Sequence, residues 1–252
     1  MMIKRLIPAA AVIGLLLLNA CKKQPEVIKS AGLSEYVPLV KGKYIIYQLD
    51  SFVYLPFGTR DTIISYQVKY TVKENLTDNL GRNGFVITRE IRKTAAAAWK
   101  EDNSFQVFNT GSTYEFTDNN LKFVLLAMPV KDNFSWKGNN YLPSNPYNPA
   151  YDFTSAFMED WDYIYQDVDQ PLTLGSLNFD STITVLQRDD VVGDPSVPGT
   201  AFAEKTYGLE QYAKGVGLVY KDFLHWEYQG ANPGVENNYK GFGIKLTAIE
   251  YN

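Results

Sequence analysis

From Tyr36 onward, apolar and polar side chains alternate with a period of two along most of the chain, the spacing of strands with one buried face. The longest run is "DTIISYQVKYTVKENL", where Ile64, Tyr66, Val68, Tyr70 and Val72 share a face and Ser65, Gln67, Lys69 and Thr71 lie between them. "TDNLGRNG" supplies a turn, since Asn, Asp and Gly tolerate unusual backbone angles. "FVITREIRK" returns with Phe85, Ile87, Arg89 and Ile91 on one side. "SFQVFNTGSTYEF" predicts a hairpin around Asn109-Thr110-Gly111, and "LKFVLLAMPV" a buried strand that Pro129 ends. In the second half "WDYIYQDV" aligns Trp161, Tyr163 and Tyr165, and "STITVLQRDD" alternates through Ile183 and Val185. "VVGDPSVPGT" is a loop, and "GVGLVYKDFLHWEYQ" and "GFGIKLTAIEY" read as closing strands. "AAAAWK" fits one helical turn or the start of a strand. "AFAEKTYGLEQYA" fits a helix that Gly208 weakens. Together these predict an all-β, mostly antiparallel domain over residues 36–252: a barrel, half-barrel or sandwich with at most one or two short helices.

The first 20 residues follow another pattern. Lys4 and Arg5 precede an apolar run from Leu6 to Leu18, with small residues before the single cysteine, Cys21. A basic start, a short apolar core and a small-residue cleavage point make a secretory signal. A membrane span needs about 20 apolar residues, more than this run has. Leu18-Asn19-Ala20-Cys21 resembles the lipobox of bacterial lipoproteins. The resemblance implies that the Cys21 thiol receives a diacylglyceryl group, that the chain is cut before it and that the new amine is acylated. It also implies that Lys22, where an Asp can retain such proteins at the inner membrane, directs this one to the outer membrane. Surface-exposed members carry acidic residues here, and only Glu26 is present, so the membrane face stays open. One acyl chain binds a bilayer only marginally, whereas two or three on one residue anchor firmly. Residues 21–35 then read as lipidated cysteine and tether.

"YAKGVGLVYKD" (Tyr212 to Asp222) and "VKGKYIIYQLDS" resemble segments of uncharacterised envelope lipoproteins of the Bacteroidota type, a resemblance that implies no activity. Mechanically, Gly215 and Gly217 permit a turn or bulge between strands. A phosphate loop is excluded by the missing glycine spacing, Lys-Ser/Thr pair and following helix.

Composition narrows the chemistry. With 252 residues, 45% of them hydrophobic and 14% aromatic, the chain is globular and β-favouring. Cleavage removes Lys4 and Arg5 and takes the formal charge from −4 to −6, with no basic stripe of the kind that binds nucleic acid. Lipidation of Cys21 leaves no thiol for catalysis, a disulfide or zinc. His225 is the only histidine, so a Ser-His-Asp triad must use it, and catalytic zinc lacks its usual ligands. Glu159, Asp160, Asp162, Asp167 and Asp169 cluster near an aromatic strand. They suit a solvated strand edge or, if two face each other, a glycan-cleaving pair. A calcium loop lacks its central Gly and bidentate Glu. No cofactor is implied.

The segment Phe134 to Tyr165 carries Trp136, Tyr141, Tyr147, Tyr151 and Trp161 among Asn, Ser and Pro. Those rings are the candidate ligand-binding residues, for a glycan or an envelope partner; alternatively they cover the open end of the β-domain. The expectation is a membrane-anchored envelope lipoprotein with a non-catalytic binding or scaffolding domain. A paired-carboxylate hydrolase and a carrier of a hydrophobic ligand are the alternatives, the last requiring a large apolar cavity.

Overall fold

The computed structural model describes residues 31–55, 60–154, 157–230 and 238–252. The signal, Cys21 and most of the tether lie outside the described residues. A short helix α1 (Leu33–Tyr36) precedes the strands β1 (Tyr44–Tyr54), β2 (Asp61–Thr77), β3 (Asn83–Arg92), β4 (Lys100–Asn109), β5 (Thr113–Asp118) and β6 (Leu121–Ala127). Then follow β7 (Ser135–Lys137), a 3-10 turn (Met158–Asp160), β8 (Asp162–Leu174), β9 (Leu177–Val192), β10 (Phe202–Ala213), β11 (Gly217–Gln229) and β12 (Asn238–Tyr251). All twelve strands form one antiparallel sheet in the order β6-β5-β4-β3-β2-β1-β12-β11-β10-β9-β8-β7. The first strand pairs with the last at mid-sheet. The two edges, β6 and β7, are neighbours in sequence.

The sheet curls into a nearly closed barrel, and side chains complete the seam. Val124 N donates to Gly138 O at 2.7 Å, and Trp136 Nε1 donates to Val124 O at 2.8 Å. The Tyr165 hydroxyl accepts from Ala127 N at 3.0 Å and donates to Ala127 O at 2.9 Å. The edge of β6 thus finds partners that a barrel needs and an open sheet lacks. Gly138 is required here: a Cβ on it would lie 2.4 Å from the Tyr163 ring.

The alternating faces fall as the sequence predicts. Val68 and Val72 of β2, Phe105 and Val107 of β4, Tyr163 and Tyr165 of β8, and Ile183 and Val185 of β9 are buried, while Ile63 on the opposite face of β2 is exposed. The hairpin at Asn109 to Thr113 forms around Gly111, whose N–H donates to Asn109 Oδ1 at 2.9 Å. Gly215, at φ +76°, makes the tight turn between β10 and β11.

Two expectations change. "AFAEKTYGLEQYA" is not a helix but β10, hydrogen-bonded between β9 and β11. Two flanking partners and an alternating buried face outweigh local helix propensity. The "AAAAWK" segment is a turn, closed by Ala97 N donating to Thr94 O at 3.0 Å, before β4 begins at Lys100. In addition, the folded body begins before Tyr36, because Leu33 is buried in the main core cluster and Ala31 packs against it.

The chain folds over both ends of the barrel. At the end containing the β10–β11 turn, α1 lies across the opening. Gly215 N donates to Glu35 O at 2.6 Å, Lys214 pairs with Glu35 at 2.7 Å and the Tyr36 hydroxyl donates to Asp169 at 3.0 Å. At the other end residues 138–154 and 157–161 fold inward. Outward positions carry Asp50, Ser65, Gln67, Lys69, Asp222 and Lys245, the last two paired at 3.0 Å, a face suited to water rather than acyl chains. No helix among the described residues is long and apolar enough to cross a membrane.

Tyr165→Phe strands a backbone N–H and C=O of the β6 edge inside the protein. The expected loss is about 1–3 kcal/mol, a fall of roughly 2–4 °C in Tm per kcal/mol at this size. Thermal unfolding followed by circular dichroism measures it, and an unchanged midpoint would show that the seam does not depend on that hydroxyl.

Candidate functional site

Eight strands make a barrel whose interior side chains just fill it, and the diameter grows with strand number. Twelve strands therefore leave room. The interior holds a cavity of about 440 Å³, within the range of small-molecule sites. Its wall is largely aromatic and aliphatic: Tyr47, Tyr70, Phe105, Tyr114, Phe116, Phe123, Leu125, Trp161, Tyr163, Phe223, Phe242 and Leu246 all line it. These rings fix one another, as in Tyr70 against Phe105 at 5.2 Å, Phe105 against Phe116 at 4.9 Å and Phe223 against Phe242 at 5.4 Å. The wall is mostly apolar.

Two charged residues interrupt it at mid-barrel. Glu210 of β10 and Lys221 of β11 stand directly opposite in register, and both point inward. Lys221 Nζ donates to Glu210 Oε1 at 2.8 Å, and the Tyr212 hydroxyl donates to Glu210 Oε2 at 2.5 Å. The Glu210 side chain has no accessible surface, whereas that of Lys221 keeps 29%. Tyr70 and Tyr147 stand close to Lys221 on the wall, so the surface it keeps faces the cavity. Burial works against the Lys221 charge, but the Glu210 carboxylate outweighs it and holds the ammonium above the ordinary lysine range. Burial likewise drives the Tyr212 hydroxyl upward, with Glu210 adding to the effect. Lys221 is therefore charged, with the Tyr212 phenol neutral.

Arg89 of β3 and Asp118 of β5 also reach the cavity. Arg89 pairs with Asp102 and its guanidinium lies 5.5 Å from the centre of the Phe105 ring. Asp118 accepts from Asn103 Nδ2 at 3.0 Å.

The five rings singled out in the sequence do not form one surface. Trp161 is buried and lines the cavity, stacked on Phe223 at 6.3 Å. Tyr147 also lines it, edge-on to Phe242 at 4.9 Å. Tyr151 stacks on Phe153 at 5.5 Å and tilts onto Phe242. Trp136 belongs to the seam, 4.6 Å from Tyr165. Tyr141 is 56% exposed, with Lys122 Nζ 4.2 Å over its ring. The segment is thus a cover whose inner rings complete the cavity. It is fastened at Thr154, whose N–H and hydroxyl donate to Glu227 at 2.6 and 3.0 Å. Lys240 pairs with the same carboxylate at 3.1 Å and also donates to Asp152 O.

The acidic cluster is dispersed. Glu159 accepts from Ser144, Asp162 pairs with Lys137, and Asp169 accepts from Tyr36 and Ser181. Hydrogen bonds from Ser181 and then Tyr36 hold Asp169 below its usual range. Among the described residues, no group of three or more His, Cys, Asp or Glu stands close enough to hold a metal. His225 is buried and does not line the cavity. Its Nδ1 lies 2.8 Å from Thr206 Oγ1, and its ring meets Phe153 edge-on at 4.2 Å. It packs beneath the cover, against Phe153.

No family model matches the chain, and no curated protein matches it. Among solved structures, a protein of Bacteroides fragilis described as exported and as having a YmcC-like fold is 14% identical, over 84% of this chain and 97% of its own, with a TM-score of 0.28. At that score the likeness carries no argument.

Sequence reasoning passed over Glu210, Lys221 and Tyr212. The signal was present: Glu210 alternates in phase with Thr206, Gly208 and Tyr212, and Lys221 with Val219 and Phe223. Assigning β10 to a helix hid the first half of it.

Burial pushes His225 down to about 4, with Glu227 opposing the shift and Lys240 adding to it. The unfolded imidazole titrates near 6.5, so between these values the unfolded chain binds the extra proton. Stability is then full above about pH 6.5 and falls by about 3 kcal/mol as pH drops to about 4. Urea titrations across this window are expected to show that slope, and His225→Gln is expected to flatten it.

Proposed function

We propose that this protein is a non-catalytic envelope lipoprotein, anchored through lipid on Cys21, whose barrel holds a hydrophobic ligand with a small polar group. The observation that carries this is the cavity: about 440 Å³, walled largely by aromatic rings and opening to the surface beside Lys43 and Asn252. A core meant only for stability would pack to crystal-like density, and a void of this size forfeits contact energy on all its walls. An apolar occupant restores those contacts. Anchoring by Cys21 rests on the sequence, where Leu18-Asn19-Ala20-Cys21 follows a signal-like run.

The paired-carboxylate hydrolase is the weaker reading. The cavity's two carboxylates are Glu210 and Asp118. Glu210 has both oxygens engaged by Lys221 and Tyr212, and Asp118 accepts from Asn103, so neither stands as a free carboxyl facing the other across the cavity.

Organic extraction of protein purified from its own envelope, followed by mass spectrometry, is expected to yield a bound apolar molecule at near-equal molar ratio. Leu49→Trp, which fills the cavity from β1, is expected to lose it while keeping the wild-type circular dichroism. Extracts with no such molecule from either protein would remove the ligand reading. Cys21→Ala is expected to move the protein from the membrane fraction to the soluble fraction; retention at the membrane would remove the anchor.

A further inference from the structure

The polar group the ligand must carry follows from the donors that the cavity leaves unused, an inference that rests on the ligand reading above. An ammonium has three N–H donors. Among the described residues, the acceptor that Lys221 Nζ has is Glu210, so two donors point toward the cavity that its remaining surface faces. What is unfilled at this position is hydrogen-bonding capacity rather than charge, because Glu210 already neutralises Lys221 across the β10–β11 register. A ligand carboxylate placed there would set a second anion beside a fully buried one. Taking an unpaired ion out of water costs several kcal/mol. No spare cation at mid-barrel offsets it: Arg89 is engaged by Asp102, Lys43 lies at the α1 end donating to Gly215 O at 3.0 Å, and Asp118 adds a further carboxylate on the same wall. An uncharged oxygen acceptor meets the need without that penalty, and the ring-lined space beyond it suits an alkyl chain.

We propose that the cavity takes an acyl chain in ester or amide linkage, with its uncharged carbonyl oxygen accepting from Lys221 Nζ, and that it rejects the corresponding free carboxylate. Sites built around a specific hydrogen bond discriminate strongly because a mismatched ligand leaves buried groups unpaired. Glu210 and Tyr212 act behind Lys221, holding the ammonium in place and fixing its charge.

The test uses the purified full-length protein and displacement of the uncharged fluorescent probe N-phenylnaphthylamine at neutral pH. Three competitors share one acyl chain: glycerol mono-oleate, methyl oleate and sodium oleate. Both esters are expected to displace the probe at least about tenfold more tightly than oleate, equivalent to about 1.4 kcal/mol. The double variant Glu210→Gln/Lys221→Met, which removes both charges together, is expected to bring all three within about threefold. Oleate binding as tightly as the esters to the wild type, or a preference that survives in the double variant, overturns the proposal while leaving the ligand reading intact. Failure of the probe and of every competitor to bind the wild type overturns both. The wild-type comparison among competitors stands even if the double variant does not fold.

Discussion

A twelve-stranded sheet closed on itself is wider than its inward side chains can fill. That geometric constraint governs the rest of this structure. Strand number sets diameter, and diameter decides whether the interior is core, cavity or channel. Here the chain responds by folding over both mouths, with α1 at one and residues 138–154 and 157–161 at the other, and by lining what remains with rings that brace one another. The seam shows the same economy. Where β6 and β7 cannot pair fully, the Tyr165 hydroxyl and the Trp136 indole supply the missing partners.

Inside that enclosure, the charged pair of Glu210 and Lys221 stands out. Buried ion pairs are weak evidence for stability, since apolar residues of the same volume often do as well or better. Their placement directly across a strand pair, with the carboxylate fully enclosed and the ammonium facing the cavity, gives them a different role. The pair marks a polar position at mid-barrel on a mostly apolar wall, and a few placed polar groups are how a pocket fixes the orientation of an elongated guest. The cover adds a second layer of control. Thr154, Glu227 and Lys240 fasten it through charge-assisted hydrogen bonds, which are stronger than neutral ones.

The fold was legible because strand alternation is a property of neighbouring residues. Ile64 through Val72, Phe85 through Ile91 and Trp161 through Tyr165 announce their inward faces without any knowledge of their partners. The β10 segment was not legible in the same way. Its Glu, Lys, Leu and Ala residues favour a helix locally, and only hydrogen bonds to β9 and β11, whose register the sequence does not show, hold it extended. The site was legible in half. Tyr147 and Trp161 do reach the cavity, and reading the aromatic segment as a cover for the open end matches where its rings lie. Sequence spacing could not show that Tyr141 and Trp136 leave that group. Nor could it show that Glu210 meets Lys221, because the meeting depends on a bulge at Gln211 and Tyr212 that shifts the register beyond them.

The central claim is that the barrel interior is a ligand site rather than a packing fault. A high-resolution crystal structure of the protein isolated from its native envelope tests it most directly. The account predicts elongated electron density in the cavity, ending within hydrogen-bonding distance of Lys221 Nζ. An interior occupied only by scattered water, or closed by inward movement of the rings, would contradict it.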